Sequence, residues 1–233
     1  KILMVNKLFY GVACELDSIG LRITRKHFDN PIEYPHSIHT LKRKIVQLHI
    51  SGSTDDVMVV NRKFTLHIVE RFSTTIRSYN FTDVEMDEAT FVEILSLVPN
   101  LEDLVLKKLR WRSKRCSTEE SPYKENLNLK KLKKLTIDGS REFFATLLYR
   151  LPVGALSEFQ INNFSWHELT AFLNRQLNIK ILKLSGGTDD TNVATDIFDK
   201  LKLESLQLSR LDSITTAAIL SKQIKLKTFI FDE

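Results

Sequence analysis

The chain has 233 residues, of which 42% are hydrophobic and 27% charged, with a formal net charge of +5. That composition belongs to a folded, water-exposed protein and excludes a disordered or membrane-embedded class, since no apolar run approaches the roughly 18 residues of a spanning helix. Two cysteines, Cys14 and Cys116, make no disulfide framework and fit a reducing compartment.

Residues 1–17 carry apolar side chains at Ile2, Val5, Phe9, Val12 and Leu16, one stripe at helical spacing. The apolar start is too short for the core of a signal peptide. Gly20 is expected to stop this helix and Leu21-Arg22-Ile23 to begin a strand. Pro31 and Pro35 bar a continuous helix across 24–44. Ile45, Leu48 and Ile50 then form a second strand pattern. The run 64–69 is short enough that periodicity leaves strand and core-facing helix both open.

A clearer order follows. Residues 101–109, LEDLVLKKL, place apolar side chains in an L-x-x-L-x-L spacing at Leu101, Leu104 and Leu106. The spacing returns at Leu132-Leu135-Ile137, Leu156-Phe159-Ile161, Ile179-Leu182-Leu184, Leu203-Leu206-Leu208 and Leu226-Phe229-Phe231, with Ile76-Tyr79-Phe81 before it. Starts lie 31, 24, 23, 24 and 23 residues apart from Leu101 onward. This recurrence resembles the leucine-rich repeat, whose period is about 20–29 residues. The resemblance implies an α/β solenoid of about eight repeats over residues 18–233, with a curved parallel sheet and outer helices. The position eight residues after each start holds Leu109, Ser140, Phe164, Gly187 and Leu211, without the regular Asn or Cys of familiar subtypes.

Helices are expected at 85–98, with Thr82-Asp83 as cap, and at 141–151, 165–177, 190–201 and 212–223, with Ser165 and Asp212 at N-cap positions. The polar stretch 110–126 reads as a surface loop inserted into one repeat. An uncapped last layer at Leu226, Phe229 and Phe231 suggests a fragment of a longer protein.

No catalytic constellation emerges. His167-Glu168 begins an H-E-x-x pattern, but Ala171 stands where a second zinc-binding His belongs. Phosphate-cradling glycine loops and a nucleophile elbow are absent from the sequence. Asp189-Asp190 fits a helix cap better than a metal site. No enzyme activity, metal or cofactor is expected. The triplets Asn80-Phe81-Thr82 and Asn163-Phe164-Ser165 match glycosylation acceptors, but Phe81 falls on a core position, which argues against an extracellular array.

Binding is the function this pattern favours. Between the inward leucines, alternate side chains point outward. The expected recognition set is Asp103, Val105, Lys107, Lys134, Thr136, Asp138, Glu158, Gln160, Asn162 and Lys183, with Arg110, Trp111 and Arg112 of the insertion as anchor candidates. Mixed charge on this set argues against a phosphate-backbone groove. The basic run 107–115 leaves open a nucleic-acid-associated protein as an alternative.

Val5, Lys7, Phe9, Tyr10 and Ala13 resemble the V-x-K-x-(aromatic)-(aromatic)-x-x-A end of an F-box, a motif commonly followed by leucine-rich repeats. This likeness to the F-box/leucine-rich-repeat family implies a substrate receptor of a Skp–cullin–F-box ubiquitin ligase, cytoplasmic or nuclear. Val5, Phe9 and Tyr10 would lie on the side of a Skp-type adaptor, with cullin beyond it, and the repeats would hold a protein substrate. The alternative for residues 1–17 is a plain cap helix on a scaffold protein unrelated to ubiquitin.

Overall fold

A computed structural model describes residues 18–24, 44–52, 57–112, 126–188, 196–223 and 225–232. The helix and adaptor-side residues expected within 1–17, both cysteines, the Asp189-Asp190 pair and positions 113–125 of the expected insertion lie outside the described residues.

The first half holds β1 (Ser18–Thr24), β2 (Lys44–Ser51), β3 (Met58–Val59), α1 (Arg62–Phe72), β4 (Ser78–Thr82), β5 (Val84–Met86), α2 (Glu88–Ser96), β6 (Asp103–Lys107) and β7 (Arg110–Trp111). After it come β8 (Lys134–Asp138), α3 (Arg141–Arg150), β9 (Glu158–Ser165), α4 (Trp166–Arg175), β10 (Ile181–Thr188), α5 (Ile197–Lys200), β11 (Ser205–Ser209), α6 (Ser213–Ser221) and β12 (Thr228–Asp232). Nine strands form one open parallel sheet in the order β1-β2-β4-β6-β8-β9-β10-β11-β12. Each strand is thus laid beside the one before it. The protein is an α/β protein built on this sheet.

Pairing is in register across the sheet. Leu104 stands opposite Tyr79 and Leu135, and Leu106 opposite Phe81 and Ile137. The two inward positions of each strand therefore line up as two rows from Leu48 and Ile50 to Leu206 and Leu208, and these rows are buried. A third buried row holds Ile76, Leu101, Leu132, Leu156, Ile179 and Leu203 just before the strands. Each such side chain contributes about 1.5–3 kcal/mol on burial. On β12 the same rows end in Phe229 and Phe231, which remain 41% and 40% exposed.

The chain leaves its strands through a left-handed corner. Asp83, Lys108, Gly139, Asn163, Gly186 and Arg210 occupy equivalent places and have φ between 51° and 65°. Three corners bond to the end of the next strand: Asp83 N–H donates to Lys107 O (3.0 Å), Lys108 N–H to Asp138 O (2.7 Å) and Arg210 N–H to Asp232 O (3.3 Å).

Past the corner, the early repeats add a second, three-stranded parallel sheet, β3-β5-β7. This corrects two expectations. Residues 84–86 alternate buried Val84, outward Glu85 and buried Met86, so they form a strand, and α2 starts only at Glu88. Its cap is Asp87, whose carboxylate accepts the Thr90 N–H at 2.7 Å, not Thr82-Asp83. Arg110 and Trp111 likewise form β7, continuing the ladder beside Glu85 and Met86, so the start of the expected loop insertion is sheet. The ambiguous run 64–69 is helix, because Asn61 Oδ1 accepts the Phe64 N–H and starts α1 with Phe64, Ile68, Val69 and Phe72 on its buried face. Gly20 does not end an element but sits inside β1, beside a register shift between Ile19 and Gly20.

The later helices match expectation closely. Asp212 Oδ1 accepts the Thr215 N–H at 2.8 Å and caps α6. Ser165 holds the N-cap position of α4 without a capping side-chain bond. Of the helix expected over 190–201, the described part is α5. Buried amides tie the turns between neighbouring repeats. Gln176 is fully buried, accepts the Leu156 N–H through Oε1 (3.2 Å) and donates through Nε2 to Pro152 O (2.8 Å). Gln223 stands three residues before the next repeat start, as Gln176 does, and donates to Phe198 O.

Three substitutions test these elements by denaturant unfolding. Gly139→Ala forces a Cβ into the left-handed region and is expected to lose about 1–2 kcal/mol in denaturant unfolding. Lys108→Gly is expected to gain about 0.5–1 kcal/mol by relieving the same conformation. Gln176→Met preserves volume but strands Leu156 N–H and Pro152 O, with an expected loss of about 1–3 kcal/mol for each orphaned group.

Candidate partner-binding face

One face of the large sheet carries the core, and the other carries the outward residues as three straight rows. The register aligns Gln47, Ser78, Asp103, Lys134, Glu158, Ile181, Ser205 and Thr228 in the first. The second row runs His49, Asn80, Val105, Thr136, Gln160, Lys183, Gln207, Ile230, and the third runs Ser51, Thr82, Lys107, Asp138, Asn162, Ser185, Ser209, Asp232. Asp103, Val105, Lys107, Lys134, Thr136, Asp138, Glu158, Gln160, Asn162 and Lys183 are therefore brought together on one continuous surface. All are half-buried or exposed.

Its centre is an organised charge cluster. Glu158 accepts from Lys134 at 2.8 Å and faces Lys183 at 3.9 Å. The bond to Glu158 raises the Lys134 pKa. Ser78 Oγ donates to Asp103 Oδ2 at 3.3 Å. Burial nevertheless raises the Asp103 pKa, with the Ser78 bond and Lys134 acting against it. At the other end of the second row His49 is held below its ordinary pKa by burial first and then by the charges of Arg22 and Lys107. Arg22 shares the row with His49 and donates to Ser51 Oγ at 3.3 Å.

A further line of charges runs along the edge where the strands begin. Glu102 lies between Lys133 (2.9 Å) and Arg77 (3.6 Å), and Glu204 between Lys227 (2.7 Å) and Lys180 (3.1 Å). Both carboxylates are lowered in pKa, Glu102 chiefly by its bond to Lys133 and Glu204 by its bond to Lys227. The expected recognition set missed this line and Arg22. The signal was present, because Arg77, Glu102, Lys133, Lys180, Glu204 and Lys227 each follow the first apolar residue of a repeat.

The three anchor candidates separate. Trp111 is not in a surface loop: its ring stacks on Phe143 (centroids 3.7 Å apart) and meets the edge of Phe91 (5.9 Å). Arg110 and Arg112 are exposed on either side of it. Arg112 lines a shallow depression with Asn61, Arg62, Lys63 and Asp87. His167, on the first turn of α4, is exposed.

Among the described residues no three His, Cys, Asp or Glu side chains gather as a metal site. No helix among them is long and apolar enough to cross a membrane. No protein-family model matches the chain, and no curated protein matches it.

Because folding raises the Asp103 pKa, its ionisation opposes folding: the penalty is absent below the ordinary carboxylate range and develops as pH rises through it. Asp103→Asn is expected to raise the melting temperature at neutral pH, by about 2 °C or less given solvent screening at this half-buried site. The difference should vanish in acid, which thermal melts across pH will check.

Proposed function

We propose that the chain is a leucine-rich-repeat solenoid and serves as a protein-interaction module, the substrate-recognition part of a Skp–cullin–F-box ubiquitin ligase receptor. The observation that carries the repeat reading is that strand order equals chain order while every L-x-x-L-x-L motif falls in one register. That is how stacked repeats bury one continuous core, and their sheet face is the surface such arrays use for binding. The outward rows support a protein partner, since amides, hydroxyls and both charge signs alternate across them without a basic groove.

The ubiquitin link rests on the resemblance of Val5, Lys7, Phe9, Tyr10 and Ala13 to the end of an F-box, directly before the array. In this reading the chain performs no chemistry. It holds a protein substrate on its outward rows while adaptor and cullin bring the transfer machinery from the other end.

The test is complex formation between the full-length protein and a purified Skp-type adaptor. A stable complex is expected, weakened by about tenfold or more in Phe9→Ala/Tyr10→Ala, as for the aromatic anchors of other interfaces. No complex would remove the ubiquitin reading and leave a repeat scaffold.

A further inference from the structure

Among the described residues, six cations where the strands begin and across the centre of the open face share three carboxylates: Arg77 and Lys133 pair with Glu102, Lys180 and Lys227 with Glu204, Lys134 and Lys183 with Glu158. Where the strands end, Lys107, Lys108, Arg110 and Arg112 are exposed and make no ion pair among the described residues. These four cations occupy six consecutive positions, at most about 17 Å of extended chain. Neighbouring charges lie within about one Debye length at physiological salt and act together.

The strip has a direction. Lys107 stands in the outward row next to the one holding Arg22 and His49, so the strip starts on the open face. It turns the corner at Lys108. That residue holds a left-handed conformation which Gly139 and Gly186 adopt in other repeats without side-chain cost, and its own side chain is exposed. Arg110 and Arg112 then project on the same side of extended chain while Trp111 points to the core. Arg112 ends the strip at the depression shared with Arg62 and Lys63. Four carboxylates face it: Asp138 beside Lys107, Asp83 at the neighbouring corner, Glu85 beside Arg110, and Asp87, which is engaged by Thr90.

We propose that this strip, Lys107–Lys108–Arg110–Arg112, is a docking surface for an acidic polypeptide segment that begins at Lys107 in the third outward row and runs off the open face past the corner. The interspersed carboxylates decide the ligand class. A nucleic-acid backbone presents a phosphate at every step and meets Asp83, Glu85 and Asp138 wherever it lies. A polypeptide sets its acidic side chains at intervals, so each can take a fork-shaped arginine while avoiding those carboxylates. The proposal stands whether or not the chain serves a ubiquitin ligase.

The experiment is fluorescence anisotropy of a labelled peptide whose glutamates are spaced by neutral Gly and Ser residues, and of a single-stranded oligonucleotide of equal charge, against the full chain at low salt. The peptide is expected to bind more tightly than the oligonucleotide. Arg110→Glu/Arg112→Glu should weaken the peptide about tenfold or more. Lys108→Gly, which removes a cation while easing the backbone, should weaken it about two- to threefold in a protein at least as stable. Lys130→Glu/Lys202→Glu, exposed cations elsewhere, should leave it unchanged. Absence of peptide binding, tighter binding of the oligonucleotide, or equal loss in the Lys130/Lys202 variant would each overturn the proposal.

Discussion

The left-handed corner is the constraint on which the rest depends. Strands laid side by side in parallel register must all turn off at the same height, or the next strand loses its place. Asp83, Lys108, Gly139, Asn163, Gly186 and Arg210 supply that turn, and the N–H of Asp83, Lys108 and Arg210 reaches the strand-end carbonyl of the next repeat. Glycine meets this conformation freely, and Asp and Asn tolerate it. Lys108 and Arg210 carry its cost of about 1–2 kcal/mol. The fold absorbs the cost because the buried rows on either side fix the corner. Where β9 and β10 run on past it, Asn163 and Gly186 drop out of the pairing and Phe164 meets Gly187 directly. A side chain at Gly187 has no room there, since a Cβ would stand 2.8 Å from Trp166 Nε1.

Register also dictates the electrostatics. Parallel strands about 4.8 Å apart bring equivalent residues of neighbouring repeats together, so like charges in one row would repel. The strand-entry row avoids this by alternation: Arg77, Glu102 and Lys133, then Lys180, Glu204 and Lys227, with neutral Ser157 separating the two triplets. Exposed pairs of this kind add little stability, because solvent screens them. Their larger effect is to relieve repulsion between neighbouring cations along that edge. At the opposite edge Lys107, Lys108 and Arg110 have Asp138, Asp83 and Glu85 as neighbours but make no ion pair among the described residues.

Legibility in the sequence followed the strength of each periodic signal. From Leu101 onward three buried rows and the outward set could be read residue by residue, because the L-x-x-L-x-L spacing encodes both the strand and its inward side. Helix starts were readable where a single Asp stood before an apolar run, as at Asp212. They were misread at 82–88, where two acidic cap candidates, Asp83 and Asp87, flank a three-residue strand too short to announce itself. Gly20 was misread as a stop because glycine alone does not distinguish a helix end from a strand irregularity. The insertion was misjudged at its start because Arg110-Trp111-Arg112 looks polar by composition. Only three-dimensional neighbours show that Trp111 lies between Phe91 and Phe143.

That indole explains why the repeat beginning at Leu101 is unlike those after it. The second sheet gains a strand from each early repeat, β3, β5 and then β7, and no later described strand joins it. After β8 the chain passes from Gly139 to Ser140 and straight into α3. Something must cover the end of the second sheet. Trp111 does so by stacking on Phe143, the third residue of α3, while Ser140 Oγ accepts the Leu109 N–H at 2.9 Å. A side chain pointing inward at 111 obliges those at 110 and 112 to point away. The exposure of Arg110 and Arg112 is thus a consequence of how the second sheet is closed off. Two arginines without an ion pair among the described residues are set side by side where the two kinds of repeat meet.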